Sequence, residues 1–432
     1  MQRIKTFTLT LILFSGLLSF AVGQTLNDKL TALKETHGFT FKKLQSNSFF
    51  SEKYEIYFEQ PLDHNNPESE FFTQRILISH VDFNNPVVFV TEGYAAHYAA
   101  NSKYINELAN LLNANQVVAE HRFYGKSLPS NPDWQYLNTF QAATDHHRII
   151  ELIRDIYSGP IVNTGISKGG QTAMYHRFYF PDDVDATVGY VCPLNFSIED
   201  KRVYQFLDQV GDSSSRSKIL NYQTEMLKNK DNYLPAFQKL ANKKNLTYPM
   251  GLLEGYELTV LEYSFAFWQW GAIDPDSIPM FPENPELMVN HLNKIAGIDW
   301  VSNEGIARIF PFFYQAMTEI GFYGYDIAPF KEYISFTENP TFTFTIPENI
   351  KYSFNPEIMH QVDCFIRHEA EHMIFIYGET DPWSSTAVDI THEKDVLKIV
   401  KPGGSHLTRI SNLPAEDQAQ VLETLKGWLN LN

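Results

Sequence analysis

Gly165-Ile166-Ser167-Lys168-Gly169-Gly170 is the stretch on which the reading of this chain turns. Ahead of it, Pro160-Ile161-Val162-Asn163-Thr164 is a short apolar run that reads as a buried strand. Behind it, Gln171-Thr172-Ala173-Met174-Tyr175-His176-Arg177-Phe178 continues as a helix. A serine in a tight turn between a strand and a helix is thrust clear of the sheet with its hydroxyl exposed. The turn is close enough that a side chain at Gly165 or Gly169 would collide with neighbouring backbone. It also sets the Lys168 N–H at the start of a helix, where an unpaired donor and the positive end of the dipole favour a developing oxyanion. An ordinary Gly-rich turn can carry the same letters; the strand before and the helix after are what favour a nucleophile.

Working outward, the same alternation recurs. Pro86-Val87-Val88-Phe89-Val90 is continuously apolar, as a strand buried on both faces must be, and it runs into Thr91-Glu92-Gly93-Tyr94. Ser102 to Leu112 has apolar residues at helical spacing. Gln116-Val117-Val118-Ala119-Glu120 is the next strand, Thr139 to Tyr157 an amphipathic helix, and Asp185 to Val191 the strand after the elbow. Strands alternating with helices at this spacing predict βαβ units and a mostly parallel sheet. Tyr54–Glu59 and Phe71–Val81 read as an antiparallel hairpin at its edge, and Thr25–Leu44 as helix. From Phe196 the alternation stops. Residues 196–360 hold polar helices and aromatic clusters, Tyr263–Trp270 and Ile309–Tyr314, and are expected to form a helical cap. The alternation resumes at Met373–Tyr377 and Val396–Val400, and residues 413–430 close the chain as a helix. The expected organisation is core over 24–195, cap over 196–360 and core again over 361–432.

A serine hydroxyl needs a base, and the base needs an orienting carboxylate. Asp381 follows the strand Met373–Tyr377, and His406 sits on a Gly-rich loop after the last strand. Ser167, Asp381 and His406 therefore come in the chain order of an α/β-hydrolase triad, each past the C-terminal end of a strand. Glu379 is the rival acid and His392 the rival base. The second oxyanion donor is expected on the loop after Pro86–Val90, at the Tyr94 N–H beside Gly93. His368-Glu369-Ala370-Glu371-His372 fits the H-E-x-x-H zinc pattern, but His372 abuts a strand, so the helix that must present both histidines would end at the second one. No metal or other cofactor is expected.

Thr91-Glu92-Gly93, Glu120-His121-Arg122-Phe123-Tyr124-Gly125-Lys126-Ser127, the elbow, Asp381-Pro382-Trp383 and Gly404-Ser405-His406-Leu407-Thr408-Arg409-Ile410 resemble the secreted prolyl tri- and tetrapeptidyl aminopeptidases. Gln60-Pro61-Leu62-Asp63-His64, Glu120–Ser127 and Tyr314-Gln315 through Glu319-Ile320-Gly321-Phe322-Tyr323 also resemble the related Pro-X carboxypeptidase and dipeptidyl peptidase group. Lys168 after the serine favours the aminopeptidases. The resemblance is weakest over residues 200–300. It implies an α/β-hydrolase core with a helical cap, Ser167, Asp381 and His406 as the triad, and hydrolysis of peptides, often after proline. An esterase or lipase on the same fold, or a Pro-X carboxypeptidase-like enzyme, are the alternatives. An aminopeptidase must hold a charged amine, which needs a carboxylate. Glu199 and Asp200 at the start of the cap, Glu92 and Glu120 on the core loops, and Trp383 beside the triad acid are the expected substrate-binding residues.

The rest of the chain bounds these readings. Of its 432 residues, 44% are hydrophobic and 20% charged, the composition of a folded globular protein. A net charge of −17 argues against nucleic acid as a partner and says little about substrate; peptides are the partner that the resemblance implies. Arg3 and Lys5, then an apolar run to Val22 ending in Ala21-Val22-Gly23, form a secretory signal by pattern, so residues 1–23 are expected to be removed and the enzyme to be secreted or periplasmic without a stable membrane anchor. In an exported protein Cys192 and Cys364 could pair, and their separation in sequence does not decide it.

Overall fold

The computed structural model describes residues 24–66, 68–271, 274–281, 284–391 and 395–431; the expected export signal and His392 lie outside them. Nine strands, β1 (Phe39–Lys43), β2 (Glu52–Pro61), β3 (Phe71–His80), β4 (Val87–Thr91), β5 (Asn115–Ala119), β6 (Ile161–Ile166), β7 (Ala186–Tyr190), β8 (Met373–Gly378) and β9 (Val396–Lys401), form one sheet in the order β1-β2-β3-β5-β4-β6-β7-β8-β9. β1, β2, β3 and β5 pair antiparallel, and every neighbour from β5 through β4 to β9 is parallel. Every residue of β4, β5, β7 and β8 is buried, which is why β4 and β8 read as near-continuous apolar runs and β5 and β7 carry no charged residue.

The chain lays β5 on one side of β4 and β6 on the other. Winding reverses there, and the loops after β4 and β6 part to leave a crevice at the carboxyl ends of the strands. The helices flanking the sheet are α1 (Leu26–His37), α2 (Glu107–Leu111), α3 (Thr139–Ile156) and α4 (Lys168–Tyr179). α3 starts where the Asn138 side chain accepts the Gln141 N–H, and it buries Ala142, Ala143, Ile149, Ile150 and Ile153.

Between β7 and β8 the described residues contain helices and no strand: α5 (Arg202–Leu207), α6 (Ser213–Lys228), α7 (Lys230–Lys244), α8 (Leu252–Trp270), α9 (Pro285–Ile295), α10 (Asn303–Gln315) and α11 (Glu357–His368). α12 (Ala415–Trp428) follows β9. The aromatic clusters lie in α8 and α10, where they build one apolar cluster with Met174 and Tyr175 of α4, so this helical layer and the sheet's helix share a core. Phe265 stacks on Tyr323 with ring centres 4.0 Å apart.

Two elements differ from the sequence reading. The helix expected over Thr25–Leu44 stops at His37, because Gly38 adopts a left-handed φ of 68° that ends it. Phe39–Lys43 then becomes the outermost strand, with Phe39 stacked on Phe58 of β2. The helix expected over Ser102–Leu112 is confined to Glu107–Leu111, because the Asn106 side chain caps it by accepting the Leu108 N–H. Both cysteines are free, Cys192 buried and Cys364 exposed. Among the described residues, no helix is long and apolar enough to cross a membrane.

Candidate active site

Ser167 occupies the junction of β6 and α4 with φ 55° and ψ −123°, a strained conformation for a non-glycine residue. The fold imposes it by close approach. A Cβ on Gly165 would lie 2.1 Å from the Gly169 carbonyl oxygen, so β6 and α4 can be this near only with glycine there. Lys168 is the first residue of α4, and its N–H has no partner within the helix.

Asp381 is fully buried beyond β8, and its Oδ2 lies 2.7 Å from His406 Nδ1. Its Oδ1 accepts the Trp383 N–H at 3.2 Å, so the carboxylate is fixed at both oxygens. With Nδ1 facing Asp381, Nε2 is the ring nitrogen left free on His406. The histidine backbone is held as well: its N–H donates to the Gln269 carbonyl at 2.8 Å, so the end of α8 is tied to the base, and the ring meets Trp270 edge-on at 5.7 Å.

Ser167, Lys168, Glu92, Tyr94, Trp383 and His406 all line one cavity of about 770 Å³, roofed by α8 and α10 and by the segment around Phe322. Gly93 lies under Lys168: a Cβ there would come 2.7 Å from Lys168 Cβ and Cγ. The Lys168 ammonium is buried, donates to the Gly93 carbonyl at 2.9 Å, and lies 5.6 Å from the centres of the Tyr94 and Tyr124 rings. That carbonyl belongs to the peptide unit that carries the Tyr94 N–H, so the lysine fixes the plane of the expected second oxyanion donor. Among the described residues no acceptor takes the Tyr94 N–H. Burial pulls the Lys168 amine down to about 7, with Glu92 pulling weakly the other way. Burial pushes Glu92 up to about 7, against the hydrogen bond it accepts from Tyr98.

The other expected carboxylates lie elsewhere. Glu120 is fully buried and accepts the N–H groups of Ala96, Lys126 and Ser127 and the Ser127 hydroxyl, stitching the β4 loop to the β5 loop. Arg122, two residues on, is paired with Asp145. Asp200 accepts the Phe196 and Arg202 N–H groups and the Arg202 guanidinium, and Glu199 takes the Tyr204 hydroxyl and the Asn339 amide. None of Glu120, Glu199 and Asp200 lines the cavity. Glu379 accepts the Gly403 N–H. α11 ends at His368, while His372 lies outside it with φ 55° and stacks on Trp428, so the two histidines of the H-E-x-x-H stretch share no helix face.

One cavity residue was not legible from sequence. Glu262 of α8 is 5% exposed and lines the same space as Ser167 and His406. Its signal was the last of three acids in α8, after Glu254 and Glu257, next to the aromatic run Tyr263–Trp270, a pattern that by itself reads only as cap core.

Strand order, elbow and carboxylate-held histidine together define an α/β-hydrolase. The chain belongs to the PS-10 peptidase S37 family, which matches residues 26–431, and it is a serine peptidase. It is 30% identical over 378 residues to a prolyl tri/tetrapeptidyl aminopeptidase of Streptomyces mobaraensis, covering 86% of this chain and 79% of that one. A lysosomal Pro-X carboxypeptidase of Mus musculus is 32% identical over 156 residues, 32% of each chain. Among solved structures, a proline iminopeptidase of Mycobacterium smegmatis aligns with a TM-score of 0.44 at 13% identity, over 87% of this chain and 99% of that one.

Proposed function

We propose that the protein is an exported serine exopeptidase that releases short peptides from the free N-terminus of peptide substrates, preferring proline at the cleaved bond. The observation that carries this reading is the His406–Asp381 pair at 2.7 Å opening, with Ser167, onto one roofed cavity. In the first step Ser167 Oγ attacks the scissile carbonyl carbon while His406 Nε2 takes the hydroxyl proton, and Asp381 stabilises the imidazolium. The oxyanion is received by the N–H groups of Lys168 and Tyr94. His406 then gives its proton to the leaving amine as the C–N bond breaks, leaving an ester on Ser167. Water, deprotonated by His406, attacks that ester; His406 then returns the proton to Ser167 Oγ as the ester bond breaks and the short peptide leaves with a free carboxylate.

The roofed cavity suits a chain end rather than the middle of a chain. The proline preference draws on the Streptomyces relative's name and on the aromatic walls near the triad: Trp383, two residues from Asp381, meets Phe265 edge-on at 5.2 Å. Export draws on the signal pattern of residues 1–23. The test is one peptide with Pro or Ala before the cleaved bond, each with a free or acetylated N-terminus, read by mass spectrometry. The free, proline-containing form should be cleaved fastest. Equal cleavage of free and acetylated forms would point to an endopeptidase or a carboxypeptidase, and turnover of simple esters alone to an esterase.

A further inference from the structure

Glu262 is a buried carboxylate with half of its hydrogen-bonding capacity unused. The hydroxyls of Tyr323 and Tyr325 both donate to Oε2, at 2.9 and 2.7 Å, and among the described residues no donor reaches Oε1. Among the described residues no cation pairs with it, and burial pushes its carboxyl up to about 8. A buried acid without a counter-charge is costly, and such groups cluster at binding and catalytic sites. A second acceptor in the same cavity is also unspent: Asn195 Oδ1 is buried and unpartnered among the described residues.

The placement of Glu262 is set by α8. Glu262, Phe265, Ala266, Gln269 and Trp270 recur at helical spacing, and all five line the cavity, so one stripe of α8 forms its roof. The stripe ends at the base, since the Gln269 carbonyl accepts the His406 N–H. Glu262 lies two turns back from Gln269, about 10 Å along the helix at 1.5 Å per residue. An extended peptide advances roughly 3.3 Å per residue, so about three residues fit between the acid and the catalytic histidine.

We infer that Glu262 is the carboxylate that receives the α-ammonium of the substrate and so sets how many residues are released. The inference rests on the exopeptidase reading above. An ammonium has three donors and no acceptor, and it brings the opposite charge that this pocket lacks. Phe265, between Glu262 and the triad on the same stripe, stacks on Tyr323 and faces Trp383, which gives the intervening residues an aromatic wall. Two other acids line the cavity: Glu92, on the loop after β4, accepts the Tyr98 hydroxyl, and Glu107 is taken up by the Tyr190 hydroxyl and the Ile410 and Ser411 N–H groups.

The experiment compares kcat/KM for a tetrapeptide amide with proline third, free and N-acetylated, in the wild type, Glu262→Gln and Glu92→Gln. The wild type should favour the free form at least tenfold. Glu262→Gln should lose at least tenfold on the free form and keep the wild-type rate on the acetylated form within about twofold, so the ratio collapses while the acetylated peptide reports an intact fold. The preference for release after the third residue should flatten with it in a length series. If Glu262→Gln does not fold, Glu262→Met is used in its place, with the same expected outcome. A wild-type free-to-acetylated ratio retained in Glu262→Gln, or lost in Glu92→Gln instead, would overturn the assignment and leave the exopeptidase reading standing. A wild type indifferent to acetylation would overturn both.

Discussion

Lys168→Met removes the amine that pins the expected oxyanion loop while keeping the length of its apolar stem. The bond lost is a buried, charge-assisted one, from Nζ to the Gly93 carbonyl at 2.9 Å. Such bonds contribute about 1.5–3 kcal/mol, a factor of roughly 10–100. The Gly93 carbonyl and the Tyr94 N–H share one rigid peptide plane, so freeing the oxygen lets the donor swing away from the oxyanion. Outright loss of one oxyanion donor costs about 10²–10³ in kcat, which bounds the effect from above. The expected outcome is therefore a 10–100-fold fall in kcat with KM within a few-fold.

Stability should move the other way. Burial lowers the Lys168 amine from 10.5 to about 7, so the unfolded chain holds a proton that the folded one has lost between those pH values. Wild-type stability thus rises with pH across that window, and Lys168→Met should lack the rise and be at least as stable at pH 7. Steady-state kinetics and thermal unfolding at pH 7 and 10 provide the assay. An unchanged kcat, or a kcat lost together with the fold, would refute the positioning role.

Asp381→Asn should leave the fold intact and lower kcat by roughly 10⁴-fold, since an amide cannot hold His406 with Nδ1–H facing it and Nε2 free; a loss under tenfold would shift the acid's role to Glu379. Burial holds the Glu262 proton from 4.5 up to about 8, so the folded state carries a proton that the unfolded one has lost. Wild-type stability therefore falls as pH rises through that window, and the advantage of Glu262→Gln in thermal midpoint should grow from pH 4.5 to 8 and then level off; a pH-independent difference would contradict it. EDTA should leave activity unchanged, whereas inactivation reversed by added zinc would move the chemistry to His368 and His372.

The parallel core was readable because burial on both faces favours apolar side chains, as in Val87–Thr91 and Met373–Gly378, and because the proposed catalytic residues follow strand ends in chain order. Phe39–Lys43 was not, since a five-residue edge strand one glycine after a helix gives too short a pattern to separate from it. Ser167, Asp381 and His406 stand on that local logic; His406 pairs with Asp381 and lines one cavity with Ser167. The amine-binding carboxylate could not be found that way. Glu199 and Asp200 were placed by their position at the start of the cap, yet their own neighbours Tyr204, Asn339 and Arg202 take them up. Glu262 reaches the site only through the packing of α8 against the His406 loop, a contact between distant parts of the chain that no local pattern encodes.

The central claim is that Ser167 is the nucleophile, activated by His406. Labelling the folded protein with a fluorophosphonate and mapping the adduct by peptide mass spectrometry tests it most directly. One phosphonyl group should appear, on the peptide containing Ser167, in step with loss of peptidase activity. It should be absent from Ser167→Ala and strongly slowed in His406→Ala. An adduct on another residue, or peptidase activity persisting in Ser167→Ala, would contradict the account.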